Sequence, residues 1–227
     1  MMEPHAFSGR TFVLRIDEAP LATRTTLADD LAFLMEHGVR PIVVAPTGEI
    51  ARGYVRALNR QTSIAVGLSG ADAALLPAAG SEAVGRVRTH ILMTLAQAGY
   101  IPVIEPTALG LFGDDVALGA DDVAAAIAAA TEAVRAIFFH ESGGVVDPES
   151  KALVAELTPA EALALAERPE LAAALRTAMR AAARGVRGGV GAAQILDGRV
   201  SHAAIVEVLT AQHLGTQVAG TVYVTSA

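Results

Sequence analysis

The chain has 227 residues, a formal net charge of −7 and no Cys, and Lys151 is its one Lys among 17 basic residues. That composition excludes disulfides, thiolate metal sites and a cysteine nucleophile, and without a basic run it argues against nucleic acid as a partner. Hydrophobic residues make up 52 % but aromatics only 4 %, with no Trp, so the core must be aliphatic, and the length is read as one domain over 1–227.

Short β-branched runs alternate with longer Ala/Leu patterns. Thr11–Ile16 reads as a strand, and Thr25–Glu36 as a helix with Leu27, Leu31, Leu34 and Met35 on one face, ended by Gly38. Pro41–Ala45 is the next strand, Ile50–Arg60 a helix and Ser63–Leu68 a strand. Gly85–Arg88 is expected as a short strand, and Thr89 as the cap of a helix to Ala98. Ile101–Glu105 is a strand. Asp121 or Asp122 opens a long Ala-rich helix to Val134, and Ala136–His140 follows as a strand. Thr158-Pro159-Ala160-Glu161 is a capping box with Pro at the first helical position. Glu170 to about Arg184 is helical, Ala192–Leu196 a strand, Ser201–Ala211 a helix and Gln217–Val224 the last strand. This alternation predicts an α/β fold with helices on both faces of a mainly parallel sheet.

Residues Met1–Gly9 carry neither an apolar run nor a basic region. No stretch reaches the roughly 18 apolar residues of a membrane span, and Val123–Ala130 is closed off by Asp122 and Glu132. The expectation is a cytoplasmic protein with no membrane partner. The His residues show no metal-ligand spacing, so no metal is expected, and no Walker, Rossmann or nucleophile-elbow pattern is present.

Two segments carry a family resemblance: AVGLSGADAALL over Ala65–Leu76, and GGVGAAQILDGRVSHAAIVEVLTAQHLGTQV over Gly188–Val218. Weaker matches are AGYIPVI from Ala98, Gly119-Ala120-Asp121, GVVD from Gly144 and LTPAEA from Leu157. The chain thereby resembles the acetylglutamate kinases of the amino acid kinase superfamily. The resemblance implies a three-layer α/β/α sandwich around a mainly parallel sheet of about eight strands, a homodimer, and use of ATP with Mg²⁺ to phosphorylate the side-chain carboxylate of an N-acylated amino acid in arginine or lysine biosynthesis.

Phosphoryl transfer requires cations and donors around the moving phosphate. Where the family has a Lys followed by a Gly-Gly turn, this chain has Arg15-Ile16-Asp17-Glu18. Its glycine run after the second strand is reduced to Gly48 in Ala45-Pro46-Thr47-Gly48. Some twenty or more residues carrying the Arg that clamps the substrate carboxylate are missing before Ala65. Arg52, Arg56 or Arg60 stands as a substitute. The Asn-x-Asn-x-Asp cluster keeps only Asp121, and the catalytic Lys is absent near Ala173–Ala178, where Arg176 and Arg180 lie.

The site assigned on this resemblance is Arg15, Asp121 and Arg176 for catalysis, Gly48, Arg56 and Gly67 for substrate, and His140, Glu141 and Arg180 for nucleotide. Asp121 is read first as a helix N-cap and second as a surviving site residue; His202 is read as packing or capping. Gly67, Gly70, Gly188 and Gly189 fit phosphate cradles or tight turns equally. Loss of so many parts together points to a catalytically degenerate binding, regulatory or scaffold protein, with a small anionic metabolite or nucleotide as its ligand. The alternatives are an active divergent kinase with an all-Arg site, and a storage or assembly protein.

Overall fold

The computed structural model describes residues 7–17, 21–61, 63–81, 83–147, 149–210 and 214–220. The chain runs β1 (Thr11–Arg15), α1 (Leu21–Glu36), β2 (Arg40–Val44), α2 (Gly48–Gln61), β3 (Ala65–Leu68), α3 (His90–Gln97) and β4 (Ile101–Ile104). It continues through a hairpin of β5 (Thr107–Leu109) and β6 (Asp115–Ala117) to α4 (Ala120–Ala130) and β7 (Arg135–Phe139). The last third is β8 (Glu156–Leu157), α5 (Pro159–Leu165), α6 (Ala173–Arg187), β9 (Ala192–Leu196), α7 (Ala203–Leu209) and β10 (Thr216–Ala219).

Eight strands form one sheet in the order β3-β4-β2-β1-β7-β9-β10-β8. All neighbours are parallel except β9 and β10. The registers place Leu68, Ile104, Val44, Arg15, Phe138 and Ile195 in one row across the sheet. The parallel strands therefore end along one edge, and the chain reverses its direction of winding at β1. That is where open α/β sheets hold ligands.

Side chains alternate between faces. Val13, Ile42, Val44, Ile104, Phe138 and Ile195 join the core beneath α3, α4, α5 and α6. Phe12, Leu14, Val43, Val103, Ile137 and Leu196 join the core beneath α1, α2 and α7. The three layers and the mainly parallel sheet agree with the expected fold class.

Several local expectations are corrected. Gly85–Arg88 is not a strand: only Val84 makes a bridge, to Ala78, while Gly85 and Arg88 donate singly to the Pro77 and Leu75 carbonyls. Asp121 does not cap α4. Gly119 is the N-cap, with extended backbone and no side-chain bond, and Asp121 lies inside the first turn. That helix stops at Ala130 rather than Val134, because Glu132 takes a positive φ of 52°. Thr89 stands at the N-cap of α3 as expected, but its side chain makes no capping bond. The hairpin β5–β6 and the two-residue β8 have no counterpart in the sequence pattern, being too short to show a period. Residues 221–224 of the expected last strand lie outside the described residues, as does residue 211 of the helix expected to end there. The capping box holds: the Glu161 amide donates to Thr158 Oγ1 and the Thr158 amide to Glu161 Oε2 at 2.8 Å.

The glycines of the Gly-Thr motif are structural. Thr216, fully buried, accepts from the Val145 amide and donates to the Val154 carbonyl, both at 2.7 Å. A Cβ at Gly215 would strike the Ile195 carbonyl. His202 opens α7 in the left-handed region at φ 58°, and its Nδ1 lies 2.5 Å from the buried Asp30 carboxylate of α1. Burial raises the Asp30 carboxyl, and the His202 contact opposes that shift.

Candidate functional site

The strand pattern aims Arg15 at α4. Val13 and Arg15 share a face of β1, and that face packs against α4. Arg15 Nε stands 2.6 Å from Asp121 Oδ1, and its Nη1 donates to the Phe139 carbonyl at 3.3 Å. Asp121 is 7 % exposed. Burial pushes its carboxyl above the ordinary range, and the Arg15 charge pulls it part of the way back. The cation at the end of β1 is therefore committed within the protein.

His140 follows β7 and is buried, its amide bonded to the Leu196 carbonyl at 2.7 Å. Its Nδ1 accepts from the Ser142 amide at 3.1 Å, while the Ser142 hydroxyl donates to the Gly144 carbonyl. Burial, then Arg15, hold the imidazole below its usual pKa, so it is neutral near pH 7. Beside it, Arg199 forms a two-pronged pair with Asp197 at 2.8 and 2.9 Å and donates to the Glu141 carbonyl at 2.6 Å. The Asp17 carboxylate lies against Gly198: a Cβ there would fall 2.6 Å from Asp17 Oδ2. A carboxylate thus fills the gap between the ends of β1 and β9.

The other half of the edge is open. A groove of about 430 Å³ lies between α2 and β3–β4, with Arg52, Arg56, Gly67, Ser69 and Glu105 among its walls. Arg52 and Arg56 are one helical turn apart on α2, both exposed. Gly48 is beside this groove, but the Glu105 carboxylate occupies the space over its Cα. Helix α2 joins β2 to β3 directly, with no further element between them among the described residues.

The assigned residues therefore divide. Arg15 and Asp121 meet, with His140 close enough to feel both charges. Arg56 and Gly67 share the groove, and Gly48 flanks it. Arg180 is turned away, bound to Glu167 at 3.0 Å and to the Ala166 carbonyl at 2.9 Å. Arg176 has no partner among the described residues, and its Nε is buried. The charges that act most on Asp121 are those of Arg15, Asp122 and His140, without Arg176. Glu141 contributes its carbonyl to Arg199. Asp17, Glu105 and Arg199 were not assigned in advance. The Asp17 signal was visible as a carboxylate in place of glycine, whereas Glu105 had none.

This architecture and edge site define the class of amino acid kinases, and residues 57–197 match the amino acid kinase family. The chain is 33 % identical to an acetylglutamate kinase of Prochlorococcus marinus (strain MIT 9303), covering 94 % of this chain and 86 % of that one. It is 31 % identical to an acetylglutamate kinase of Symbiobacterium thermophilum, covering 93 % and 92 %. The first alignment runs over 266 residues, longer than the chain's 227, so that relative carries segments this chain lacks. In structure it is similar to N-acetylglutamate synthase from Neisseria gonorrhoeae complexed with coenzyme A and N-acetyl-glutamate. The TM-score is 0.83 at 21 % identity, over 97 % of this chain and 62 % of that one. A carbamate kinase from Giardia lamblia bound to AMP-PNP gives a TM-score of 0.69 at 12 % identity, over 94 % and 99 %. The chain belongs to the acetylglutamate kinase family within the amino acid kinases.

Proposed function

We propose that the chain keeps the architecture of an acetylglutamate kinase without its phosphoryl transfer, and works as a binding, regulatory or scaffold protein. One observation carries this reading. Carboxylates of the chain itself lie over two glycines at the strand ends, Asp17 over Gly198 and Glu105 over Gly48, and fill space in which an anion could approach the backbone. The cation between them is bound to Asp121. ATP with Mg²⁺ is the cofactor the family name implies. A triphosphate does not fit residues that place a carboxylate at the end of β1 and leave no free cation beside Asp121 among the described residues, and no transfer step through it follows from them. The open groove with Arg52 and Arg56 is the better place for a ligand, and its chemistry suits a small carboxylate or phosphate.

A second reading, an active but divergent kinase for an N-acylated amino acid, is favoured by the uncommitted guanidinium of Arg176. Titration calorimetry with Mg-ATP, with and without N-acetylglutamate, separates the two. The first reading expects no heat at millimolar nucleotide and no acyl phosphate. Micromolar binding, with turnover lost in Arg176→Ala, would establish the second.

A further inference from the structure

The groove beside α2 is lined by charges of both signs. Arg52 and Arg56 stand on its helical wall, and neither pairs with a carboxylate among the described residues. Asp72 and Glu105 stand on the strand side. Asp72 is partly occupied, because its Oδ2 accepts from the Ser69 amide at 2.7 Å and from the Ser69 hydroxyl at 2.9 Å. Glu105 is held by its backbone instead. Its amide donates to the Leu68 carbonyl at 2.9 Å, and its carbonyl accepts from the Thr107 amide at 2.8 Å. Its half-buried carboxylate forms no ion pair among the described residues.

The free carboxylate and the free guanidiniums face one space. A Cβ built on Gly48 would meet the Glu105 carboxylate and, at 3.3 Å, Arg52 Nη1. Opposite charges therefore flank the head of the groove without closing on each other. Val55, Leu68 and Val103 form its apolar walls. Gly67 keeps the middle open. A Cβ there would have only Val55 Cγ2 within 4 Å, at 3.4 Å, so a side chain at that position would take up the groove's own volume.

We propose that the groove takes a small amino dicarboxylic acid with a free amine, its carboxylates on Arg52 and Arg56 and its ammonium on Glu105. The inference rests on the reading of this groove as the ligand site, and adds what that ligand must carry. A carboxylate or phosphate by itself satisfies the arginines but sets a negative charge beside Glu105. An N-acylated amino acid does no better. Its amide nitrogen is uncharged, offers one N–H where an ammonium offers three, and brings the acyl group up against the carboxylate. An ammonium makes an acceptor of the same carboxylate that repels a second anion. One side chain thus selects the unacylated amine and rejects the acylated one.

The test is titration calorimetry of the whole chain with L-glutamate, N-acetyl-L-glutamate and glutarate. All carry two carboxylates, and L-glutamate alone carries an ammonium. The wild type is expected to bind L-glutamate about tenfold more tightly than either of the others, the strength of a charge-assisted hydrogen bond. Glu105→Gln keeps the size of the side chain and breaks no ion pair. It is expected to lose that preference while binding glutarate no more weakly and keeping its melting midpoint. Should the variant fold poorly, the wild-type series decides by itself. Amide NMR of the labelled chain is expected to show shifts at Gly67, Ser69 and Glu105 on adding L-glutamate. Equal or tighter binding of N-acetyl-L-glutamate by the wild type, or a preference that survives in Glu105→Gln, would overturn this inference and leave the groove as an anion site. Shifts confined to another surface, or no binding of any of these acids, would overturn the reading of the groove together with it.

Discussion

The two halves of the sheet edge have been treated differently. At β1, β7 and β9 every described cation is engaged: Arg15 with Asp121 and the Phe139 carbonyl, Arg199 with Asp197 and the Glu141 carbonyl. At β2, β4 and β3 the edge opens into a groove of about 430 Å³, and its arginines face solvent. The first half shows charges satisfying one another; the second shows charges free for a ligand. A charge bound within the fold supports structure, and to serve a substrate it must first give up its partner.

The largest expected effect breaks the closed half. Arg15→Ala leaves the Asp121 carboxylate buried beside no cation, and urea denaturation should show a loss of about 3–5 kcal/mol. A loss under about 1 kcal/mol would mean that the pair is exchangeable with solvent and the half is not closed. Next, Asp17→Gly removes the carboxylate over Gly198. Mg-ATP, which gives no heat at millimolar concentration with the wild type on this reading, is expected to give measurable binding by calorimetry; no heat with the variant would place the obstacle elsewhere.

On the open half, Arg52→Ala with Arg56→Ala should weaken binding of N-acetylglutamate or another small dicarboxylate by about tenfold, read by titration. Its stability should stay within about 0.5 kcal/mol of the wild type, both residues being exposed. A large loss of stability would show that these arginines, too, belong to the structure.

The smallest effect is a pH dependence. Burial and Arg15 hold the folded His140 below its ordinary value of 6.5. The unfolded chain then takes up a proton that the folded chain refuses. The stability from His140 is present above pH 6.5 and falls as the pH drops through and below that value. Melting curves at about pH 7.5 and 5.5 should therefore separate the wild type from His140→Gln by less than about 1 kcal/mol, with the wild type the more sensitive to acid. The raised carboxyls of Asp30 and Asp121 act in the opposite sense. Their contribution is greatest below the ordinary carboxyl value of 3.8 and is lost as the pH rises through the folded value, so the comparison with His140→Gln reads the imidazole together with its effect on Asp121.

What the sequence settled by itself was the layered fold and its family. Long apolar strands such as Ala192–Leu196 and the capping box at Thr158 are local signals, set by burial period and by short-range hydrogen bonding. The resemblance located Arg15 and Asp121 at strand and helix ends, and Arg56 and Gly67 in the half that became the groove. Their state was decided only in three dimensions. Arg15 and Asp121 are separated by most of the N-terminal half of the chain, and the parity of β1 alone put them on one face. Asp121 looked like a cap because capping residues and site residues share composition, and the extended backbone of Gly119 took that role instead. Arg180 resembled a site cation until its fork met Glu167 on the turn after α5. Asp17 showed only as a carboxylate in place of a glycine and Glu105 gave no sign at all; which glycine each one covers was hidden, because the approach of one strand end to another depends on register across the sheet, and no window of sequence contains it.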